Sequence, residues 1–249
     1  MNSIRKLAAR ALQKAARICA PPKLTEVVDD EFVRWLGYAN SGMVERGNCH
    51  LVDYAFRHLS SAAPMLEIGS FSGLSTNILT HFKRKHHLTN RLFTCDKWDF
   101  ENVNGRARVA DSPVLFSDYR AFVRESFIRN VTMFSAEDLP FTVEMTSDEF
   151  FDSWRKHTTL QDVFGRPISL GGPLSFCYID GNHTYEYVKR DFLNCDAFLE
   201  IGGFLFFDDS TLTEFGVYKL MPEIIASGRY ELTGVNPYHL FRKVASSPS

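Results

Sequence analysis

Residues 65–79, MLEIGSFSGLSTNIL, run from a short apolar strand through a small-residue turn into a helix. The strand reaches Glu67-Ile68, and the turn is Gly69-Ser70-Phe71-Ser72-Gly73. Gly69 and Gly73 let the backbone bend sharply and approach a ligand, while the helix that follows offers unpaired N–H groups. A dinucleotide-binding loop would read G-x-G-x-x-G, but Phe71 stands where the second glycine belongs. Its bulk disfavours close packing of a pyrophosphate, and Glu67, just inside the strand end, would repel one. The same features suit a ligand with a positive centre and an α-amino carboxylate.

Outward from this unit, short apolar runs alternate with amphipathic helices. The runs are Met65–Ile68, Leu92–Cys95, Val131–Phe134, Leu174–Ile179 and Phe204–Phe207, with helices expected at 73–85, 117–129, 184–200 and 214–226. That rhythm predicts an α/β protein with a mostly parallel sheet covered by helices on both faces. Tyr230–Leu232 and His239–Phe241 flank GVNPY and read as an antiparallel finish. Residues 27–60 look helical, so a helical extension over 1–60 is expected ahead of one domain over 61–243. Two connections, 98–116 and 138–173, are longer than such a fold needs. Both can overhang the carboxyl edge of the sheet as a lid, and for the second a plain surface loop is an equal reading.

With 249 residues, 45% hydrophobic and 23% charged, the chain has the make-up of an ordinary globular protein able to bury a sizeable core. A net charge of −2 leaves no electrostatic footprint for nucleic acid. The five cysteines, Cys19, Cys49, Cys95, Cys177 and Cys195, form no Cys-x-x-Cys pair. This argues against a zinc site or disulfide framework and for a reducing, cytoplasmic setting. No apolar run approaches the ~20 residues of a membrane span. Residues 3–18 read as a basic amphipathic helix, with Ile4, Leu7, Ala8, Ala11, Leu12, Ala15 and Ile18 on one face. It can be a docking helix of the fold, a membrane-surface helix or an organellar targeting segment. Its mostly alanine face disfavours strong membrane binding.

The pattern E-x-G-x-x-x-G after a strand resembles the first motif of class I S-adenosylmethionine-dependent methyltransferases. The resemblance implies a Rossmann-like, doubly wound sheet of seven strands. It also implies that the loop hugs the methionine portion of the cofactor through Glu67, Gly69, Ser70, Phe71, Gly73 and Ser75. Glu67 would hold the amino group, directly or through water. LFTCDKW ends a second strand in Asp96, where the family places an acid on the ribose hydroxyls, and a carboxylate can accept from both. VTMFSAED is expected to close a third strand, with Ser135, Ala136 and Glu137 at the adenine. Further on, YIDGNHTYEYVKRDF, residues 178–192, resembles the I-D-G-x-H-x-Y-E motif of the branch with many small-molecule and sugar O-methyltransferases. The likeness spans residues 64 to 210.

The next strand, GGFLFFDDS, ends in Asp208-Asp209. Adjacent strand ends would bring Asp180, Asp208 and Asp209 together, and three carboxylates repel unless one is protonated or a cation neutralises them. Catechol-type and macrolide-sugar O-methyltransferases place metal-ligating acids at similar spacing. The resemblance therefore implies Mg²⁺ on Asp180, Asp208 and Asp209, with Mn²⁺ or Ca²⁺ as substitutes. A cation that binds an acceptor hydroxyl would lower its pKa, and Asp180 or His183 would take the proton. A metal-free acid–base or positional role for the same residues stands beside that reading. Asp180 or Asn182 could equally cap the next helix. The expected activity is methyl transfer to a hydroxyl of a small polyhydroxylated acceptor, a sugar or glycosylated metabolite. A metal-independent methyltransferase, a nucleotide-dependent oxidoreductase and a non-catalytic cofactor-binding protein are the alternatives. A homo-oligomer is compatible with all of them.

Overall fold

A computed structural model describes residues 27–100 and 104–246. The basic segment 3–18 lies outside the described residues. The chain runs α1 (Glu31–Ala39), α2 (Arg46–Arg57), β1 (Met65–Ile68), α3 (Leu74–Lys85), β2 (Leu92–Cys95), α4 (Phe116–Phe134) and β3 (Phe141–Val143). It continues through α5 (Ser147–Arg155), β4 (Thr159–Gln161), β5 (Pro167–Ser169), β6 (Leu174–Ile179) and α6 (Tyr185–Phe198). The last elements are β7 (Leu199–Phe207), α7 (Gly216–Ala226), β8 (Tyr230–Val235) and β9 (His239–Lys243). Among the described residues, no helix is long and apolar enough to cross a membrane.

Seven strands form one sheet in the order β3-β2-β1-β6-β7-β9-β8. The first five are parallel, and β9 pairs antiparallel with both β7 and β8. The order reverses between β1 and β6, so a crevice opens above their carboxyl ends, where open α/β sheets bind ligands.

The central strands read as continuous apolar runs because both faces are covered. Phe176 and Tyr178 of β6, with Phe204 and Phe206 of β7, pack under α2 and α3. Cys177, Ile179, Leu205 and Phe207 alternate to the other face and meet Phe150, Phe151 and Trp154 of α5, Val188 and Phe192 of α6, and Leu220 and Ile224 of α7. Truncating one such phenylalanine to alanine would cost about 3–5 kcal/mol. That is a large share of the stability of a domain this size.

Two expectations are corrected. Val131–Phe134 is the last turn of α4, not a strand. Its residue types favour β structure, but Val131 continues a buried stripe with Val123 and Phe127 at i+4 spacing, and Thr132 and Met133 are exposed. The third strand is Phe141–Val143 instead. The connection 138–173 is not a lid. It contains β3, α5 and a separate hairpin of β4 and β5. Arg166 ties that hairpin to the Leu139 and Pro140 carbonyls ahead of β3, at the opposite edge of the sheet. Residues 104–116, which follow β2, fold back on themselves through a bridge between Arg108 and Leu115.

Candidate active site

The loop between β1 and α3 owes its glycines to protein contacts. Gly69 has φ +82, and a Cβ there would lie 1.9 Å from the Asp180 carbonyl oxygen. Gly73 has φ +91, and its Cβ would press on Val131 and Phe127 of α4. The loop is therefore clamped between the end of β6 and helix α4. Ser72 is pinned too, its carbonyl accepting from Asn40 Nδ2 at 3.0 Å and Asn130 Nδ2 at 2.9 Å.

Asp96 organises this loop from below. Its Oδ2 accepts from the N–H groups of Ser70 (2.8 Å) and Phe71 (2.9 Å), and its Oδ1 from Trp98 N–H (2.6 Å). Trp98 in turn donates its indole N–H to the Phe71 carbonyl at 2.8 Å. Phe71 and Trp98 both hold left-handed backbone, φ 44 and 51, which bulky residues keep only where the surroundings enforce it. Burial raises the Asp96 pKa, and the three backbone donors partly offset that.

Glu67 lies on the face of β1 beneath α3 and is fully buried. Its Oε2 accepts from Thr76 Oγ1 at 2.6 Å, while Oε1 is left without a hydrogen bond. Burial pushes its pKa up to about 7. Ser75 is buried in the first turn of α3. That helix starts at Gly73 with no side-chain cap and no acidic residue, so its free N–H groups are available to an anionic group. The residues present fit S-adenosylmethionine: an uncapped helix start for a carboxylate, an orphaned buried acceptor behind it, and a carboxylate at the end of β2.

Ser135, Ala136 and Glu137 do not join this edge. With α4 extended to Phe134, they precede β3 and lie at its amino end. Ser135 is buried with its hydroxyl on Asn77 Oδ1 at 2.6 Å, and Glu137 points to Arg84 near the far end of α3. The chain that leaves β3 at the carboxyl edge is 144–147. There Glu144 accepts from Arg120 and Arg124, both at 2.8 Å.

At the ends of β6 and β7 the expected acid triplet is rearranged. Asp180, His183 and Asp209 each bring one ligand atom within 4.8 Å of the others. His183 Nε2 lies 3.0 Å from Asp209 Oδ2 and 3.7 Å from Asp180 Oδ1. Phe215 packs on the imidazole with ring centroids 4.7 Å apart, and Gly216 N–H donates to the His183 carbonyl at 2.8 Å. Hydrogen bonding to Asp180, then to Asp209, raises His183 to about 10. Burial raises Asp180 to about 6 against the opposing bond from His183. The His183 bond lowers Asp209.

Asp208, expected as a metal ligand, is raised well above the usual aspartate value by burial and then by the charge of Asp180. It is 5% exposed and bonds to Asn48 and Tyr178. The group able to hold an ion among the described residues is thus two carboxylates and one imidazole. This N,O set fits a divalent transition ion such as Mn²⁺ better than Mg²⁺. Asn182 Oδ1 accepts from Thr184 N–H at 2.9 Å, so Asn182 takes the turn-capping duty and Asp180 is left free of it. Sequence reading missed Asn40, Asn48 and Asn130. No local pattern marks them, because each acts across the fold.

A family model described as a methyltransferase domain matches residues 66–210, more than half of the chain, and the protein belongs to that family. The resemblance to class I methyltransferases read from the motifs is thereby borne out, and the oxidoreductase alternative falls. Solved structures with the same fold include the O-methyltransferase TomG from Streptomyces achromogenes, in complex with SAM. It is 16% identical, over 88% of this chain and 92% of that one, with a TM-score of 0.53. The O-methyltransferase from Bacillus cereus, in complex with SAH, is 13% identical over 94% and 96%, with a TM-score of 0.55. CalS11, a calicheamicin methyltransferase, is 15% identical over 90% and 97%, with a TM-score of 0.53. A search of curated proteins found no match.

Proposed function

We propose that the protein transfers a methyl group from S-adenosylmethionine to a hydroxyl oxygen of a small polyhydroxylated acceptor, a sugar or glycosylated metabolite. A divalent cation held by Asp180, His183 and Asp209 assists. The observation that carries this reading is the meeting of two carboxylates and an imidazole within 4.8 Å, beside the clamped loop 69–73. TomG and the Bacillus cereus enzyme, which share the fold, were captured with SAM and SAH. The acceptor class comes from the I-D-G-x-H-x-Y-E motif alone.

When bound, the cofactor supplies a methyl group on a positively charged sulfur that leaves as a neutral thioether, and the cation acidifies the acceptor hydroxyl. The chain supplies the rest. Asp96, already fixed by three backbone donors, keeps one lone pair, on Oδ1, for a ribose hydroxyl. Met145 and Thr146, leaving the carboxyl end of β3, take the adenine-side place first expected of residues 135–137. In the metal-free site Asp180, raised by burial to about 6, is ionised at neutral pH and can take the proton, whereas a cation bound to it would make it less basic. His183, at about 10, carries a proton at neutral pH and is not the base while both carboxylates face it. It must shed that proton to ligate a cation.

One observation favours a second reading. His183 Nε2 already sits 3.0 Å from Asp209, so an imidazolium can neutralise the carboxylates without any metal. Calorimetry with S-adenosylmethionine and its demethylated product, with and without chelator, tests both. If neither ligand binds, the transferase reading fails. If binding and turnover ignore the chelator, the cation goes and the transferase stays.

A further inference from the structure

We infer that Asn40 is a positioning residue for the cofactor: from the end of α1 it sets the corner of loop 69–73 that serves the amino-carboxylate arm. The inference rests on the reading of that loop as the S-adenosylmethionine loop and needs no cation. Asn40 is the residue at which α1 stops, its N–H donating to the Leu36 carbonyl at 2.9 Å. Its buried side-chain Nδ2 donates to two carbonyls, Ser41 at 2.9 Å and Ser72 at 3.0 Å. The Ser72 hydroxyl donates in turn to the Ser41 carbonyl. A Cβ at Gly42 would lie 2.4 Å from Leu74 Cβ, so the connection after α1 lies flush on the first residue of α3. Residues 40–42 lie outside the matched residues 66–210.

The orientation of this amide is forced. Two carbonyls meet one end of it and neither can donate, so the nitrogen must face them. Asn40 Oδ1 then accepts from Asn77 Nδ2 at 2.8 Å, and Asn77 Oδ1 accepts from the Ser135 hydroxyl at 2.6 Å. A relay of buried polar groups thus runs from the end of α4, through α3, to the end of α1 and onto the loop. Ser135, expected at the adenine, is its far anchor. From the other side Asn130 Nδ2 of α4 donates to the same Ser72 carbonyl at 2.9 Å.

Two amide donors occupy both lone pairs of the Ser72 carbonyl and so fix the Ser72–Gly73 peptide plane. That plane carries the Gly73 N–H, which donates to the Ser70 carbonyl at 2.8 Å, and Gly73 is the residue from which α3 starts. Rotating it would swing the free N–H groups that the helix start offers to a carboxylate. The loop therefore has two anchors with different duties. Asp96 holds the N–H groups of Ser70 and Phe71 on the nucleoside side. Asn40 holds Ser72 on the side of the helix start, and through it α1 acts on the cofactor without touching it.

A residue that only holds the fold together would not discriminate between the two ends of the ligand. The test uses two probes in calorimetry: the demethylated cofactor, and methylthioadenosine, which keeps the nucleoside and its sulfur but lacks the amino-carboxylate arm. Asn40→Ala should bind the demethylated cofactor about 10-fold more weakly than wild type and methylthioadenosine within about twofold. Equal weakening of both probes, or no weakening of the first, overturns the inference. If Asn40→Ala does not fold, Asn77→Ala carries the same test, because it leaves Asn40 in place but unties its oxygen; the same selective loss is expected and the same outcomes overturn it. If neither variant folds, wild type decides. Its Asn40 side-chain amide resonances should shift on adding the demethylated cofactor and hold on adding methylthioadenosine, and resonances that answer to neither overturn the inference. Wild type that binds the first probe and not the second has no separate nucleoside anchor, which overturns it as well. Wild type that binds neither probe removes the transferase reading and the inference with it, an outcome distinct from all the others.

Discussion

At the end of β2, Asp96 gives its oxygens to three backbone N–H groups from residues 70, 71 and 98, whereas at the ends of β6 and β7 Asp180 and Asp209 share one imidazole and stay about a quarter exposed. The first carboxylate is part of the architecture, with backbone donors as its partners. The second pair is held by charge, and by side chains from elements far apart in sequence. Strand ends of one sheet can therefore serve two purposes. One builds a rigid socket beforehand, and the other gathers negative charge that a cation, protonic or metallic, must balance.

The largest expected effect lies on the charged side. Asp180→Asn keeps size and shape but removes the base, and should cut turnover by about 10²–10⁴-fold. Affinity for the demethylated cofactor should stay near wild type. Asp96→Ala should do the reverse. It strips three inward N–H groups of their acceptor and should weaken cofactor binding by about 10–100-fold, from roughly 1–3 kcal/mol of lost pairing. If the two variants exchange phenotypes, with Asp180→Asn failing to bind cofactor and Asp96→Ala failing only in turnover, the division of labour is wrong.

The pH response sharpens the same contrast. His183 is raised to about 10 in the folded protein, so its contribution to stability is full below its unfolded value of about 6.5 and is lost as pH climbs through 10. Asp180 is raised to about 6, so folding favours its protonated form, and that contribution fades as pH rises from about 4 through 6. Both slopes have the same sign. Thermal melts of the metal-free protein should fall as pH rises from 6.5 to 10, and His183→Asn should flatten that decline. A variant whose melts keep the wild-type slope would show that the imidazole gains nothing from its two carboxylates.

What could be read in advance follows the same division. The strand–turn–helix at 65–79, Asp96 after LFTC and Asp180 after an apolar run were legible because each is a local pattern with a local cause. The third strand was not. Val131–Phe134 carries β-favouring residues, and only the i+4 continuation from Val123 and Phe127 reveals the helix. Nor could the sequence separate Asp208 from Asp209. Asp208 bonds to Tyr178, 30 residues earlier, and to Asn48, 160 residues earlier, and no local pattern marks either partner. The glycines were assigned correctly as bends, but their cause lies elsewhere. Gly69 makes room for the Asp180 carbonyl and Gly73 for Val131 and Phe127.

The smallest expected effect belongs to Glu137, and it tests the corrected strand directly. A third strand at 131–134 would set Glu137 over the adenine, and its loss would then cost cofactor affinity tenfold or more. In the fold described, Glu137 follows a helix, its side chain is 83% exposed, and its nearest cation is Arg84 at 3.9 Å. A pair that open to solvent contributes about 0–1 kcal/mol. Glu137→Ala should therefore leave cofactor affinity within about twofold and the melting temperature within about a degree of wild type. Thr146→Ala, at the true end of the third strand, should cost more than Glu137→Ala in the same titration, because it both opens the cap of α5 and touches the carboxyl edge. The reverse ranking would return the adenine to residues 135–137 and undo the corrected register of the whole β2–β3 side.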